Sequence, residues 1–346
     1  MKEVVTAAPR EKGGRESRKG VDFPQMGFGG AGIANLYRAV SPEEADATIH
    51  AALRRGFGLI DTAPYYGHGL SETRIGQALA HWSGPRPLVS SKVGRVLEPV
   101  PPGSEGDFGF VDPMPYRPRF DYSRDGVRRS LEGSLERLGI DKLDIALVHD
   151  IGARVHGAAH GERMRELFDE TLPALNEAKT EGLVDHIGLG VKEWEVCVEI
   201  LERTGLDVIM LAGRYTLLEQ PAMSSGMLDC CAARGVRVLA AGIFNSGLLA
   251  SKPSLESTYE YLAVPPDVLA KALDLWDACE AEGVPLAAAA LQFPLLHPAI
   301  SCIVVGARSV AEIEQQAAWR NISIPGELFD VLRRRGLIHP QAPTAG

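Results

Sequence analysis

"MGFGGAG", residues 26–32, decides between two α/β folds. Gly27, Gly29 and Gly32 stand at the G-x-G-x-x-G spacing that cradles a pyrophosphate in a doubly wound sheet. That reading needs a buried strand entering the run and a helix opening on it, because the unpaired N–H groups of the helix end hold the phosphate. The flanks supply neither. Upstream lies "REKGGRESRKGVDFP", residues 10–24, charged and proline-bearing where a central parallel strand must be apolar. Downstream the first helix signal is "SPEE" at Ser41, nine residues beyond Gly32: an N-cap serine, a proline at the first helical position and Glu44 closing a capping box. The glycines therefore read as close backbone packing, and a nucleotide, if the chain holds one, lies elsewhere.

Working outward, residues 1 to about 20 are polar and aperiodic and read as a disordered tail, with one domain over 21–346. Beyond them short apolar runs recur at 58–61, 87–93, 143–150, 185–191, 207–213, 236–244 and 300–306, separated by amphipathic helical patterns. One pattern runs from Ser41 to Arg55 before Gly56, another from Ser123 through Val127, Leu131, Leu135 and Leu138 to Gly139. With the glycine run as a first strand there are eight strands. Apolar strands alternating with helices imply a parallel sheet covered on both faces, and eight such units fit a single-domain (β/α)8 TIM barrel better than an open sheet. Two long loops, 94–121 and 243–263, follow the third and seventh strands on the face where such barrels carry their chemistry.

A net charge of −9 argues against a nucleic-acid or anionic-membrane surface. Without a membrane-length apolar run or a signal core, the expected location is cytoplasmic. The five cysteines lack C-x-x-C spacing and read as reduced thiols; the nine histidines form no zinc pattern, so no metal is expected. The oligomeric state is left open.

Asp61 in "GLIDTAPYYGHG", Tyr66 beyond it, Lys92 ending "VSSK" and His149 ending "IALVHD" stand at the ends of three consecutive strands, which converge on one mouth in a barrel. Each has a plain structural reading: a cap, a rim aromatic, a snorkelling lysine, a satisfied core histidine. Together, a carboxylate, a lysine and a histidine aimed at one place are costly to desolvate without a chemical role. The set suits hydride transfer at a carbonyl. Lys92 would favour tyrosinate at Tyr66, Asp61 would keep Lys92 charged, and His149 would orient the substrate oxygen. A hydride carrier must come from outside the protein.

These residues carry a resemblance. "IDTAPYYGHGLSETRIGQAL", the lysine of the third strand, the histidine of "DKLDIALVH" and "IVVGARSVAEIEQQ" resemble the aldo-keto reductase superfamily over residues 25 to 320; D-T-A-x-x-Y-G-x-G-x-S-E is its most specific part. The resemblance implies a (β/α)8 barrel, a catalytic tetrad of Asp61, Tyr66, Lys92 and His149, and an extended nicotinamide dinucleotide across the mouth. Gly29 and Gly30 would then lie under its nicotinamide end. Asn245, Ser246 and Gly247 of "FNSGLL" would hold the pyrophosphate. Gly306, Arg308, Glu312, Gln315 and Gln316 would lie at the adenosine end, where a helix opens around Ser309.

The chain departs from the family pattern at the nicotinamide. Gly190 and Val191 stand for the usual Ser-Asn pair, Ala212 for a glutamine and Ala241 for the stacking tyrosine, leaving Phe244 as a stacking candidate. Gly306 and Glu312 stand where members preferring NADP carry a lysine and an arginine, which points to NAD, while Arg308 keeps NADP open. "GFGGAGIANLY", "FDYS", "VHDI" and "GRYTLLEQ" are most similar to the branch with L-fucose, L-galactose and D-threo-aldose dehydrogenases and pyridoxal 4-dehydrogenase. That implies oxidation of a cyclic hemiacetal to a lactone, with Tyr37 and Asp150 placed to bind substrate hydroxyls; Asp150 reads equally as a cap for the next segment. The alternatives are an NADPH-dependent carbonyl reductase and a nucleotide-binding regulatory barrel.

Overall fold

The computed structural model describes residues 23–260 and 262–344. The tail expected over 1–20 lies outside them. Eight parallel strands form a closed barrel: β1 (Met26–Gly29), β2 (Leu59–Asp61), β3 (Leu88–Val93), β4 (Leu143–His149), β5 (Val184–Val191), β6 (Val208–Ala212), β7 (Arg237–Ala241) and β8 (Ile300–Gly306). Each is hydrogen-bonded to the next in sequence, and β8 returns to β1 with Gly29 opposite Gly306. The strands are followed in turn by α1 (Pro42–Arg54), α2 (Leu70–Ala80), α3 (Arg124–Leu138), α4 (Leu172–Thr180), α5 (Trp194–Leu201), α6 (Met227–Arg234), α7 (Pro266–Ala281) and α8 (Val310–Arg320).

The helix signals act as they read. Ser41 Oγ accepts the Glu44 N–H at 3.1 Å and Ser123 Oγ the Gly126 N–H at 3.1 Å, while Gly139 ends α3 in the left-handed region at φ 64°. The glycine run is a strand and not a phosphate loop. Only one 3-10 turn, Gly32–Ala34, precedes α1. Gly30 donates its N–H to Asp61 O at 2.8 Å, and a Cβ there would sit 2.4 Å from Ser71 Oγ. The residue is glycine because β1 must pass that close to β2 and α2.

Strand alternation sorts the apolar residues into two layers. Leu59, Ile145, Leu147, Val208, Met210, Leu239, Cys302 and Val304 point inward and plug the barrel. Ile60, Val89, Ala146, Val148, Ile209, Val238, Ile303 and Val305 point outward and pack under the helices. The two long loops are more ordered than their proline and glycine content suggests. Segment 94–121 contains an antiparallel hairpin, Arg95–Pro99 with Tyr116–Phe120, and 243–263 a shorter one, Thr258–Tyr259 with Leu262–Ala263. The five cysteines are free thiols. Among the described residues no helix is long and apolar enough to cross a membrane.

Candidate active site

The plug ends one layer below the mouth, and continuing the alternation by two residues names what lines the opening. β2 passes from Leu59 to Asp61, β3 from Ser90 to Lys92, and β4 from Leu147 to His149. Around the rest of the ring the corresponding positions are Gly190, Ala212, Ala241, Gly306 and Gly29. Half of the rim carries ionisable side chains. The other half carries almost no side chain.

On the ionisable half Lys92 Nζ donates to Asp61 Oδ2 and to Thr62 O, both at 2.8 Å, and lies 4.7 Å from the centre of the Tyr66 ring. Ser90 Oγ donates to the other carboxylate oxygen of Asp61 at 2.5 Å. Burial works against charge on Lys92, but Asp61 and Tyr66 outweigh it and the amine is pushed up. For Tyr66 the balance differs from the expectation of a phenol made acidic by its lysine. Burial dominates, Lys92 offsets only part of it and Asp61 adds to it, so the hydroxyl is pushed up to about 12 and stays protonated at neutral pH.

The rest of the D-T-A-x-x-Y-G-x-G-x-S-E stretch is scaffold. Thr62 Oγ1 donates to Ser71 Oγ at 2.8 Å and Ser71 Oγ to Gly30 O at 2.9 Å, while the fully buried Glu72 accepts from Ser91 Oγ at 2.6 Å and Arg137 Nε at 2.7 Å. This network ties β1, β2, β3, α2 and α3 beneath the tetrad.

His149 meets Tyr66 edge-on, ring centres 6.2 Å apart, and is pushed down to about 3, first by burial, then by Arg95 and Lys92 against the opposing pull of Asp150. The imidazole is neutral. Asp150 does not cap the next helical segment: its Oδ2 lies 2.9 Å from Arg95 Nη2 and 3.5 Å from His149 Nε2. Tyr65, Phe108 and Phe110 wall this side of the mouth. Tyr37, 55% exposed, stands on its rim, its N–H donating to Gly109 O at 2.9 Å.

On the small-residue half the expected cofactor positions divide. Asn245, Ser246 and Gly247 are three consecutive left-handed residues, φ 48°, 61° and 92°, in the turn after β7. Non-glycine residues are rarely held so; the N–H groups of Asn245 and Gly247 donate within the turn, to Gly242 O and Phe244 O, both at 3.0 Å. Asn245 Oδ1, Gln316 Oε1 and Arg308 Nε are buried without a hydrogen-bond partner among the described residues. These are two acceptors and a donor around the β7 and β8 ends, a donor set that fits the hydroxyls and phosphates of a dinucleotide. A Cβ on Gly306 or Gly29 would meet nothing nearer than 3.5 Å, which leaves a flat floor beside the ionisable half.

Other expected residues take different places. Phe244 packs edge-on against Trp319 of α8, ring centres 5.7 Å apart, within the outer apolar layer; its ring belongs to the helix side, because the chain turns outward after Ala241. Glu312 Oε2 accepts the Arg308 backbone N–H at 2.8 Å, and its own N–H donates to Ser309 Oγ at 3.3 Å, so it also serves the start of α8. Gln316 Nε2 donates to Gly306 O at 2.9 Å, and Gln315 faces outward.

Three groups escaped the sequence reading. Arg95 is the first residue of the hairpin and Lys192 follows β5. Glu260, in the second hairpin, pairs with Arg154 and Arg214 and is held down to about 2, by Arg154 first. It ties the loop after β7 to segments after β4 and β6. Arg95 and Glu260 stand in long loops with no motif around them, and Lys192 lies in a short strand-to-helix connection beside Glu193.

The comparisons agree with this geometry. The aldo/keto reductase family profile covers residues 25–333. The chain is 39% identical over 331 residues to pyridoxal 4-dehydrogenase of Microbacterium luteolum, spanning 93% of this chain and 96% of that protein. To D-threo-aldose 1-dehydrogenase of a Pseudomonas species it is 37% identical, spanning 92% and 96%. Among solved structures, an aldo-keto reductase of Bacillus halodurans superposes with a TM-score of 0.71 at 23% identity over 92% of this chain and 93% of that one, a likeness of fold. A (β/α)8 barrel whose family signature forms the floor of one half of its mouth, this chain belongs to the aldo/keto reductase family of oxidoreductases, which use nicotinamide cofactors.

Proposed function

We propose that this chain is an NAD-dependent dehydrogenase that oxidises the cyclic hemiacetal of an aldose or of pyridoxal to the lactone. The observation that carries the reading is the buried Asp61–Lys92 pair with the half-buried Tyr66 against it, beside a neutral His149 and facing a half-rim of glycine and alanine. A nicotinamide dinucleotide supplies the hydride acceptor. Asn245, Ser246 and Gly247 would hold its phosphates; Gly306, Arg308 and Gln316 its adenosine end; and Gly29 and Gly30 the floor beneath its nicotinamide.

The protein's own part is proton transfer and orientation. As the anomeric C–H leaves with its electron pair, the anomeric hydroxyl must lose its proton. Tyr66 Oη receives it after first giving up its own proton to solvent, and the adjacent Lys92 ammonium stabilises the phenolate formed by that loss. His149 Nε2–H holds the substrate oxygen during the transfer. Asp150 and Tyr37 accept hydrogen bonds from neighbouring substrate hydroxyls. Two features support NAD. Glu312 keeps a carboxylate at the start of α8, and Arg308 Nη2 is drawn 3.4 Å from Leu36 O on the β1 side.

A second reading, NADPH-dependent reduction of an aldehyde or ketone, is favoured by the protonated Tyr66, which is already the acid that reduction needs. One experiment separates the two. L-fucose, L-galactose, D-arabinose and pyridoxal are each assayed with NAD and NADP at the reduced-nicotinamide absorbance, beside aldehyde reduction with NADH and NADPH. Oxidation with NAD of at least one hemiacetal, at a higher kcat/KM than any reduction, supports the first; aldehyde reduction with NADPH alone replaces it with the second.

A further inference from the structure

The His149 ring is held from one side. Nε2 lies 3.5 Å from Asp150 Oδ2, whereas Nδ1 is buried without a hydrogen-bond partner among the described residues. An ionised carboxylate only accepts, so the proton of the neutral ring belongs on Nε2, the nitrogen nearest the substrate mouth. Everything then depends on where Asp150 is. Its backbone is left-handed, φ 51°, with the N–H donating to Gly190 O at 3.1 Å, and Tyr122 Oη donates to His149 O at 2.7 Å, which fixes the strand end. The side chain is fixed by Arg95. That guanidinium reaches in from the hairpin between the rings of Tyr65, 4.2 Å away, and Phe120, 4.0 Å away, and binds the same Oδ2 at 2.9 Å.

We propose that Arg95 is a positioning residue of the active site: it anchors Asp150 Oδ2 beside His149 so that the imidazole keeps a single proton, on Nε2, aimed at the substrate oxygen. The proposal rests on the role given above to His149. Burial of the ring disfavours a second proton first of all; an aspartate alone at this distance would work against it and would turn Nε2–H toward itself, and the guanidinium on the same oxygen offsets part of that pull. The charged groups facing His149 are Asp150 on its own strand end, Arg95 from the hairpin and Lys92 from β3; Tyr65 and Tyr66 add uncharged rings, and Lys192 after β5 also acts on Asp150. Arg95 is the one positive group bonded to the carboxylate itself among those pairs.

The test follows His149 directly. In protein labelled with 15N-histidine, with a His149→Gln variant to assign the signal, the wild-type ring is expected to show the Nε2–H tautomer and no titration between pH 8 and 5. In Arg95→Ala the ring should take up a proton in that range, and kcat/KM should acquire an acid limb absent from the wild type. Arg95→Lys should remove more than half of that change. Arg95→Ala with Asp150→Asn should abolish the limb, which separates the effect from misfolding. An unaltered tautomer and titration in Arg95→Ala, or an acid limb persisting in the double variant, overturns the proposal. If Arg95→Ala does not fold, the same resonance in Arg95→Lys against Arg95→Gln decides, and equal titration in the two overturns it. The resonance needs no substrate, so a failed substrate panel would remove the dehydrogenase reading and leave this result standing.

Discussion

The two halves of the barrel mouth are built by opposite means. From β2 to β4 the rim is made of side chains that satisfy one another: Asp61 and Lys92 form a buried pair with Ser90 and Thr62 completing it, and the half-buried Tyr66 lies against Lys92. From β5 through β8 to β1 the rim is made by leaving side chains out, at Gly190, Ala212, Ala241, Gly306 and Gly29, and recognition passes to a strained turn and to buried polar atoms without partners. In the proposed function the first half moves a proton and the second receives the dinucleotide, whose own polar groups would complete it. Chemistry and binding therefore answer to different substitutions.

The largest separation is expected for Tyr66→Phe, which removes the proton carrier from the complete half: kcat/KM should fall by about 10³, within the range of general acid–base catalysis, while dinucleotide affinity by fluorescence titration stays within about twofold. Turnover near the wild-type rate would break the division. Lys92→Met should next lower unfolding free energy in urea by about 3–5 kcal/mol, because it leaves Asp61 buried and unpaired, with Asp61→Asn added to it restoring most of the loss. Equal losses in single and double variants would mean that the cluster is not a closed unit.

The pH response sharpens the same contrast. A Tyr66 hydroxyl pushed up to about 12 leaves little phenolate at neutral pH, so oxidative kcat/KM should rise by about tenfold per pH unit through the alkaline range while reduction stays level. Parallel profiles would count against Tyr66 as the proton carrier. His149 acts on stability with a definite sign. Its folded-state value of about 3 lies below the ordinary 6.5, so this contribution is full above about pH 6.5 and is lost as pH falls toward 3. His149→Asn should flatten the acid limb of a stability–pH curve.

Filling the small half should do the reverse of Tyr66→Phe. Ala212→Leu or Ala241→Leu should raise the dinucleotide Kd by about tenfold, the scale of an overpacking cost of 1–3 kcal/mol, with the pH profile unchanged. The smallest change is expected for Asn245→Gly: about 1 kcal/mol of added thermal stability from relief of its left-handed backbone, with a severalfold loss of dinucleotide affinity as Oδ1 disappears. A variant that gains stability and keeps full affinity would remove Asn245 from the cofactor half.

The same contrast explains what could be read in advance. That Asp61, Lys92 and His149 meet at one mouth, with Tyr66 beside them, was legible because the strand period places them at one end. The departures at Gly190, Ala212 and Ala241 were visible one at a time, but their joining into a single floor was not, since it depends on ring closure between β8 and β1. Phe244 carried the right chemistry for stacking and faces the helices instead, a direction set by the turn after β7 and by Trp319, 75 residues further on.

By itself the sequence determined the eight-strand alternation, the capped helices and the gathering of Asp61, Lys92 and His149 at one end, because these depend on local periodicity and on residue type. The tertiary structure alone decided the protonation of Tyr66, the pairing of Arg95 with Asp150 and the latch of Glu260 on Arg154 and Arg214. Each of these is a balance of burial against charges brought together from distant segments, and neither burial nor distance exists until the barrel closes.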